Sequence, residues 1–514
     1  MKNNMKNIAF ILLAVLLFTA CKEQLDISPK SNLEMSNFFN TEEDFGLALV
    51  GCYDAIAVHE DGRAYGTYFK GLLNMGIVGT DEMYVVDGFW DNEIEILSQY
   101  TYTAFASVPY YVYVMQYRGI SRCNTIIGAL KSTEVEMSAS TKDRMLGEAH
   151  FLRAFYYFQL VRFYGGVPII TEETNLNEFR NIRSTLAETY DRIISDFRTA
   201  DEYLPIVNTP GRATKYAAKS FLAKAYLQMA GEPLNDPAAA AMAVQYASEV
   251  VNNGPYDLEP IYGDIFHLDN EHGIEYIFSA EYIGTDNEGG EVATWSGVPG
   301  PWENTLAYLI TRAMPELAES YQPGDIRKAR NAVDYGIGDA QGTIVPRTDG
   351  VWWAWKWRHN PDPNQRDYGR EWQSPYNHPL TRFADVLLTY AEALWREAGS
   401  PASFSDANAL EAINRVRRRG YGLDQHTAAP AVDFTSITEQ ALLDERKWEL
   451  CFEGHRWHDL NRFGKLVEVV RACATGNPTA AANIKDHHTL FPIPAKEIQV
   501  SNGDLKQNPG YSSE

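Results

Sequence analysis

Apolar residues recur every three or four positions along most of this chain, and that spacing predicts a largely helical protein. The segment 148–166 is the clearest case, because Phe151, Leu152 and Phe155 lie on one long predicted helix. Paired glycines at 165 and 166 are expected to end it. The same spacing predicts helices over the segments 41–53, 117–130, 184–204, 211–230 and 238–252.

The segment 211–230 alternates small residues with aromatic residues and leucines. This helix-pair style resembles tetratricopeptide repeats, although the loops here exceed their strict period of about 34 residues. Helical spacing returns over 379–399 and 406–420, which we interpret as a further helix pair. The sequence therefore predicts a mainly α fold, with about four tetratricopeptide-like helix pairs forming a scaffold.

Residues 255–375 differ from the rest of the chain, because helical spacing fades while Gly, Pro, Asp and Trp become more frequent. By composition, 282–301 is a long loop. The run VWWAWKWR at 351–358 alternates Trp353, Trp355 and Trp357 as a strand would, with one face expected in the core. We therefore predict a loop-rich, irregular subdomain packed on the helical scaffold.

The segment 442–463 (LLDERKWELCFEGHRWHDLNRF) is both apolar and highly charged. Its charged residues fall four apart and then three apart: Glu445, Glu449 and Glu453, followed by Arg456, Asp459 and Arg462. Residues at these spacings share a helix face, and Gly454 marks a break between two helical pieces. We expect one side to be packed and the other ion-paired, as a structural network that fixes how helices dock rather than as a catalytic carboxylate pair.

The same segment resembles the C-terminal signature of the SusD/RagB family, which comprises glycan-binding lipoproteins of the Bacteroidetes outer membrane. The pattern ER-x-x-EL-x-FEG-x-RW-x-DL-x-R is filled at every fixed position between Glu445 and Arg462. The helical segments above, and the close at 490–511 with QNPGY, are also similar to family segments.

The resemblance implies a SusD-like fold and a protein that is not an enzyme. It also implies capture of an oligosaccharide or polysaccharide at the cell surface and its delivery to a TonB-dependent, SusC-like outer-membrane transporter. Family members associated with peptide nutrients leave the ligand class open. Two other functions also stay open, a surface glycoside hydrolase and a helical-repeat interaction scaffold that binds no sugar.

The N-terminus has the pattern of a bacterial lipoprotein signal. Lys2 and Lys6 precede an apolar run at 8–18, which is too short to span a bilayer, and small residues precede Cys21. Cys21 resembles a lipobox cysteine that is acylated after cleavage, and the charged residues that follow resemble a surface-export tract. We predict a lipid-anchored protein on the outer membrane that faces the cell exterior; the alternative is a plain secreted protein.

The domain organisation follows from these patterns, with all of 41–514 forming one compact unit. The predicted parts are a lipoprotein signal peptide at 1–20, acylated Cys21 with a tether at 21–40, a SusD-like N-terminal helical region at 41–254, a loop-rich ligand-binding subdomain at 255–375 and a RagB/SusD C-terminal helical region at 376–514.

The chain of 514 residues is acidic, with 68 acidic against 45 basic residues and a net charge of −23. Loss of Lys2 and Lys6 with the signal peptide would bring the net charge to −25. A surface this acidic repels polyphosphate, so we predict no nucleic-acid partner. It also disfavours strongly anionic polysaccharides, unless a local basic pocket overrides the average.

Motifs for common catalytic chemistry are missing from the sequence. There is no nucleotide-binding glycine loop, no H-E-x-x-H and no G-x-S-x-G, so we predict no cofactor. His455 and His458 are three apart, but they occupy variable places of the signature, so we predict no metal site. The five cysteines form no C-x-x-C motif, and the sequence leaves disulfide pairing among those after Cys21 open.

Neutral sugars are held by flat aromatic side chains against their CH faces and by polar side chains at the rim, usually on loops. The segments 81–92 and 282–304 offer this mixture. The predicted ligand-binding residues are Trp90, Asp91, Asn92, Trp295, Trp302 and Asn304. The alternative for each tryptophan is packing in the core or at a partner interface. No family motif covers these six positions.

Overall fold

The computed structural model describes residues 38–57, 67–88, 92–283, 290, 296–298, 309–338, 343–357 and 376–512. As the spacing of apolar residues predicts, helices dominate these residues. The helices before residue 254 are α1 (Glu42–Ala57), α2 (Asn92–Ser98), α3 (Ser107–Ser132), α4 (Ala139–Tyr164), α5 (Leu186–Tyr203), α6 (Lys215–Met229) and α7 (Pro237–Asn253), with a π-helical turn at Thr67–Leu73.

Helix α4 lies at the centre of the scaffold, between α3 and α5. It begins nine residues before the predicted segment, because the hydroxyl of Ser138 caps it by accepting the backbone N–H of Thr141. It ends at Gly165, whose φ of +77° suits glycine. Phe151 and Phe155 are fully buried and lie edge-on to Phe221 of α6, so helices that are distant in sequence share one core.

The scaffold continues beyond the loop-rich segment. The later helices are α8 (Pro315–Ser320), α9 (Lys328–Asn331), α10 (Phe383–Glu397), α11 (Ala407–Gly420), α12 (Glu439–Leu450), α13 (Arg456–Arg462), α14 (Leu466–Ala472), α15 (Pro478–Asn483) and α16 (Ala495–Val500). Helix α10 packs against α7 and then against α11, so the helix stack resumes where the N-terminal helices stop. Among the described helices, none is both long and apolar enough to span a bilayer.

Short strands pair as antiparallel two-stranded ribbons in and around the loop-rich segment: β1 (Met83–Val85) with β3 (Thr311–Ala313), β2 (Tyr276–Ala280) with β8 (His378–Arg382), β4 (Ala332–Val333) with β7 (Trp353–Ala354), and β5 (Tyr335–Ile337) with β6 (Ile344–Pro346). The β1–β3 ribbon joins the predicted ligand segment 81–92 to residues that follow the segment 282–304. The β2–β8 ribbon joins residues before the predicted loop at 282–301 to residues after the loop-rich segment 255–375.

The tryptophan run does not form the alternating strand predicted over 351–358. Its strand is only two residues long, and Trp353 and Trp357 are buried whereas Trp355 is half-buried. The strand ends early because Lys356 is also buried, with its ammonium group donating to the carbonyl oxygens of Glu449 and Cys451 at 2.9 Å. Burial of Trp353 and Trp357 agrees with the predicted core role of this run.

The break predicted at Gly454 is confirmed, since α12 and α13 are separated by a turn in which Gly454 has φ +84°. This turn lies directly against Gly76, whose carbonyl oxygen accepts the backbone N–H of Trp457 at 2.9 Å. A Cβ atom at Gly76 would lie 2.4 Å from the carbonyl oxygen of Gly454, so the two backbones approach too closely for a side chain.

The variant Gly76→Ala is therefore expected to lower the free energy of unfolding by about 1–3 kcal/mol, the usual cost of forcing an extra methyl into a packed site. The matched control is Gly46→Ala in α1, where a Cβ would meet no atom within 4 Å. That control should be stabilised by about 0.5–1 kcal/mol. Urea unfolding of both variants checks this; equal effects at the two positions would contradict the close approach.

Candidate functional site

The charged segment 442–463 forms a buried ion-pair network, as predicted, but no side of it is solvated. Glu449 lies at its centre, paired with Arg382 at 2.6 Å, Arg419 at 2.5 Å and Arg327 at 3.0 Å. These four side chains are at most 1% exposed. Burial alone would raise the pKa of Glu449, but the three guanidinium groups outweigh it and hold the pKa well below its ordinary value.

This network fixes the start of β1. The guanidinium of Arg456 donates to both carboxylate oxygens of Asp81, at 2.7 and 2.8 Å. Burial by itself would raise the pKa of Asp81, but the positive charges of Arg456 and Lys447 outweigh it and hold the pKa at about 2. One residue later, a carboxylate oxygen of Glu82 accepts the backbone N–H of Phe452 at 3.0 Å. Asp81, the first residue of the predicted ligand segment 81–92, therefore supports the fold.

The turn between α12 and α13 also holds the tryptophan run. The ammonium group of Lys356 pairs with Glu453 at 2.6 Å, and the indole N–H of Trp357 donates to the carbonyl oxygen of Phe452 at 3.2 Å. The start of β1 and the residues after β7 are thus attached to one turn of the signature segment. The signature side chains act as a frame for the loop-rich part of the molecule.

Glu82 makes the stability of this frame depend on pH. Burial raises the pKa of Glu82 to about 8 from an ordinary value of 4.5. The nearby charge of Arg456 lowers this pKa and that of Asp81 raises it, but both effects are smaller than that of burial. Above about pH 5 the unfolded chain releases this proton, whereas the folded protein retains it up to about pH 8. The free energy of unfolding should therefore fall by about 1 kcal/mol per pH unit across this window.

The variant Glu82→Gln keeps an oxygen acceptor for the N–H of Phe452 but removes the titrating proton. We expect its urea midpoint to decline less between pH 5 and 8 than that of the unchanged protein. Parallel pH profiles for the two proteins would show that Glu82 does not titrate in this window.

The ribbon formed by β1 and β3 positions the predicted ligand segments. Val85 pairs with Thr311, and the N–H of Val86 donates to the carbonyl oxygen of Ile310 at 3.1 Å. In an antiparallel pair, the end of one strand lies beside the start of the other. Residues 86–88, which lead toward 90–92, and residues 309 and 310, which follow 302–304 in the chain, therefore lie at the same end of this ribbon.

Another part of the predicted ligand segment 282–304 is tied to the same ribbon. The hydroxyl groups of Ser296 and Thr311 are 2.8 Å apart. Two residues later, Val298 is fully buried in a small apolar cluster with Val333 and Trp353. Residues 296–298 are thus packed beside β3, and Trp295 is the chain neighbour of Ser296.

Near this end of the ribbon, a guanidinium group stacks on an aromatic ring. The guanidinium carbon of Arg312 lies 3.6 Å from the centre of the Trp353 ring, and the guanidinium donates to the carbonyl oxygen of Leu309. Burial lowers the pKa of Arg312 to about 10. Leu309 has φ +59°, a conformation that non-glycine residues adopt only when their surroundings impose it.

The segment that leaves β1 is attached to helix α2. The side-chain amide of Gln99 donates to Asp87 at 2.8 Å and to Glu95 at 3.1 Å, and the backbone N–H of Gly88 donates to Glu95 at 3.2 Å. The described parts on both sides of the predicted residues are therefore held in place by hydrogen bonds.

Of the six predicted ligand residues, Asn92 is described: it is the first residue of α2 and is exposed. The other five (Trp90, Asp91, Trp295, Trp302 and Asn304) and the predicted lipidation residue Cys21 lie outside the described residues. The sequence did not reveal the ribbon that brings their flanking segments together, because three-residue strands give too little alternation to recognise.

Two carboxylates lie together where β2 meets the next loop. The buried side-chain amide of Asn377 donates to Glu271 at 3.1 Å and to Glu281 at 2.9 Å, and His272 lies 3.1 Å from Glu281. Burial, together with the charge of Glu281, raises the pKa of Glu271 to about 7. A glycosidase needs its two carboxyl groups on either side of a sugar bond, but the Asn377 amide fills the space between these two.

The other candidates for chemistry are buried. His455 and His458 are 7% and 3% exposed, and burial together with Lys224 lowers the pKa of His455 to about 3. In the part of the chain that the structure describes, no group of three or more His, Cys, Asp or Glu side chains is arranged to hold a metal ion. The four cysteines of that part are buried free thiols, which answers the open question of pairing for Cys52, Cys123, Cys451 and Cys473.

Comparison with known proteins gives matches along nearly the whole chain. A family model described as the SusD family matches residues 275–511, and one described as "Starch-binding associating with outer membrane" matches residues 25–227. A SusD-like protein P25 of Formosa agariphila is 26% identical over 94% of both chains. The starch-binding protein SusD of Bacteroides thetaiotaomicron is 24% identical over 96% of both chains.

Solved structures show the same fold. A SusD homologue from Bacteroides thetaiotaomicron superposes with a TM-score of 0.80 at 24% identity, covering 94% of this chain and 99% of that one. A surface glycan-binding protein A from the same organism, in complex with laminarihexaose, superposes with a TM-score of 0.74 at 22% identity, covering 91% and 99%. The predicted mainly α, SusD-like fold is confirmed.

Proposed function

Because the chain belongs to the SusD family, we propose that it is a glycan-binding lipoprotein of the outer membrane. It captures an oligosaccharide or polysaccharide at the cell surface and passes it to a TonB-dependent, SusC-like transporter. The protein makes and breaks no bond; it selects and holds the ligand. The relatives support the ligand class, since one is named as starch-binding and another binds laminarihexaose.

The observation that carries this proposal is the ribbon of β1 and β3. Its antiparallel register brings together described residues that flank the two predicted ligand segments, and the buried network of the signature segment holds the start of β1. A rigid frame that presents variable loops is the usual construction of a binding site. The approach of the residues that flank both aromatic segments favours a site for a sugar chain over packing of isolated tryptophans.

In this proposal, Trp90, Trp295 and Trp302 present flat rings to the CH faces of sugar units. Asp91, Asn92 and Asn304 bind hydroxyl groups at the rim. The ligand is a neutral glycan, because the net charge of −23 repels strongly anionic chains. No cofactor or metal ion takes part.

The cellular arrangement belongs to the same proposal. Acylation of Cys21 after removal of residues 1–20 anchors the protein in the outer membrane, facing the exterior. The helical scaffold contacts the transporter, and the loop-bearing end holds the glycan. The description of the second family model, which associates its members with the outer membrane, supports this location.

The experiment that tests the function is a calorimetric titration of residues 22–514 against neutral and acidic polysaccharides, with an assay for new reducing ends. We expect saturable heat with a neutral glycan and no new reducing ends. New reducing ends would show a glycoside hydrolase instead. No heat with any saccharide would contradict glycan binding and favour a peptide ligand or a protein scaffold.

A further inference from the structure

A surface pocket lies near the end of helix α2 opposite Asn92. It has a volume of about 370 Å³, is open to solvent, and is lined by residues 100–105 and by parts of 483–512. That volume falls within the range of about 300–1,000 Å³ that is typical of small-molecule sites. Helix α2 ends at Ser98, whose hydroxyl accepts the backbone N–H of Val85 at 3.1 Å. The pocket therefore lies near β1, but its lining shares no residue with the ribbon of β1 and β3.

The pocket wall is aromatic and polar, with little charge. Phe105 is 64% exposed at its rim, whereas Tyr102 is buried and stacks on Phe491 with ring centres 4.9 Å apart. Thr101, Thr103 and Asn483 add hydroxyl and amide groups. Among the described residues that line the pocket, Lys485 is the charged one, and none of them is Asp or Glu.

His488 presents a defined donor in this wall. The backbone N–H of Lys485 donates to Nδ1 of His488 at 2.9 Å, so the proton of the neutral ring is on Nε2. Burial lowers the pKa of His488 to about 4, and the ring is therefore neutral at pH 7. Its ring centre lies 5.3 Å from that of Tyr100 and 5.4 Å from that of Tyr102.

Two residues of the pocket wall have a left-handed backbone conformation. Tyr100 has φ +55°, which a non-glycine residue adopts only when its neighbours enforce it. Gly510 has φ +85°, and a Cβ there would lie 2.5 Å from Cβ of His487. The neighbouring His487 ring in turn lies 4.7 Å from that of Tyr511, so glycine at 510 is what lets this wall close.

We propose that this pocket is a second saccharide site, which takes one end of a neutral glycan. The exposed ring of Phe105 offers a stacking face, and the hydroxyl, amide and imidazole groups offer hydrogen bonds to sugar hydroxyls. An acidic sugar would call for an arginine fork or several cations, and a single exposed lysine does not supply them. This inference takes its ligand class from the proposed function, but it rests on different residues.

The test compares the unchanged residues 22–514 with the single variants Trp302→Ala and Phe105→Ala. It also includes the double variants Trp302→Ala/Phe105→Ala and Trp302→Ala/Phe105→Tyr. The probes are maltohexaose, laminarihexaose and cellohexaose, followed by saturation-transfer NMR and calorimetry. We expect Trp302→Ala to retain weak, saturable binding of one hexasaccharide. Adding Phe105→Ala should weaken it about tenfold, the effect of losing one aromatic face, and Phe105→Tyr should preserve it.

The outcomes separate the two proposals. If Trp302→Ala abolishes all binding and Phe105→Ala alone changes nothing, the second site is wrong and the proposed function stands. If Phe105→Ala abolishes all binding and Trp302→Ala has no effect, the second site is supported and the proposed loop site is wrong. If the unchanged protein binds none of the saccharides by either method, both proposals are wrong.

Discussion

Replacing Arg382 by methionine is expected to lower the free energy of unfolding by about 3–5 kcal/mol, the usual effect of removing one partner from a buried ion pair. Arg382 is 1% exposed and pairs with Glu275 at 2.5 Å, Glu449 at 2.6 Å and Glu453 at 2.7 Å. Its removal leaves carboxylates buried with less positive charge to balance them. Urea unfolding of residues 22–514 at pH 7 measures the loss.

The matched control is Arg180→Met. Arg180 pairs with Asp504 on the surface, where its side chain is 67% exposed. Exposed pairs contribute at most about 1 kcal/mol, so this variant should unfold close to the unchanged protein. Similar losses for both variants would show that the network around Glu449 is not what stabilises the frame.

Replacing Trp302 by alanine is expected to weaken glycan binding by about 2 kcal/mol or more, a factor of roughly 30 in Kd. The reason is that a flat indole ring supplies both the apolar area and the geometry for one sugar face. The variant Trp90→Ala should have a similar effect. Calorimetry with the glycan found by the polysaccharide screen measures both affinities, and urea unfolding should show unchanged stability.

The double variant Trp90→Ala/Trp302→Ala tests whether the two segments form one site. Residues that contact the same ligand unit are coupled, so the double loss should be smaller than the sum of the single losses. Leu176→Ala, at a residue 71% exposed in the loop between α4 and α5, is the surface control and should bind normally. Fully additive effects would place the two tryptophans at independent positions.

The helical scaffold could be predicted because its apolar spacing is local information. The segment 148–166 contains enough consecutive apolar turns to define α4, whereas the polar first turns from Ala139 could not be assigned by periodicity. Likewise, the spacing of Glu445, Glu449 and Glu453 predicted an ion-paired helix face that fixes how helices dock. Their partners Arg327 and Arg382 are distant in sequence, so the full burial of the network became visible only in three dimensions.

The candidate site could be predicted in composition but not in geometry. Aromatic and polar residues marked the segments 81–92 and 282–304, yet nothing in the sequence showed that Val85 pairs with Thr311. The role of Asp81 was also hidden, because an acidic residue at the start of an aromatic loop has the same pattern whether it binds a sugar or an arginine. Its pairing with Arg456 is a tertiary contact across most of the chain.

We propose that the segments on the two strands of the β1–β3 ribbon form one glycan site. Hydrogen–deuterium exchange with and without the saturating glycan tests it most directly. We predict slower exchange in peptides that cover both 84–95 and 295–312, with no change in α6 and α7. Protection of one of these segments without the other, or of the helical scaffold alone, would contradict the account.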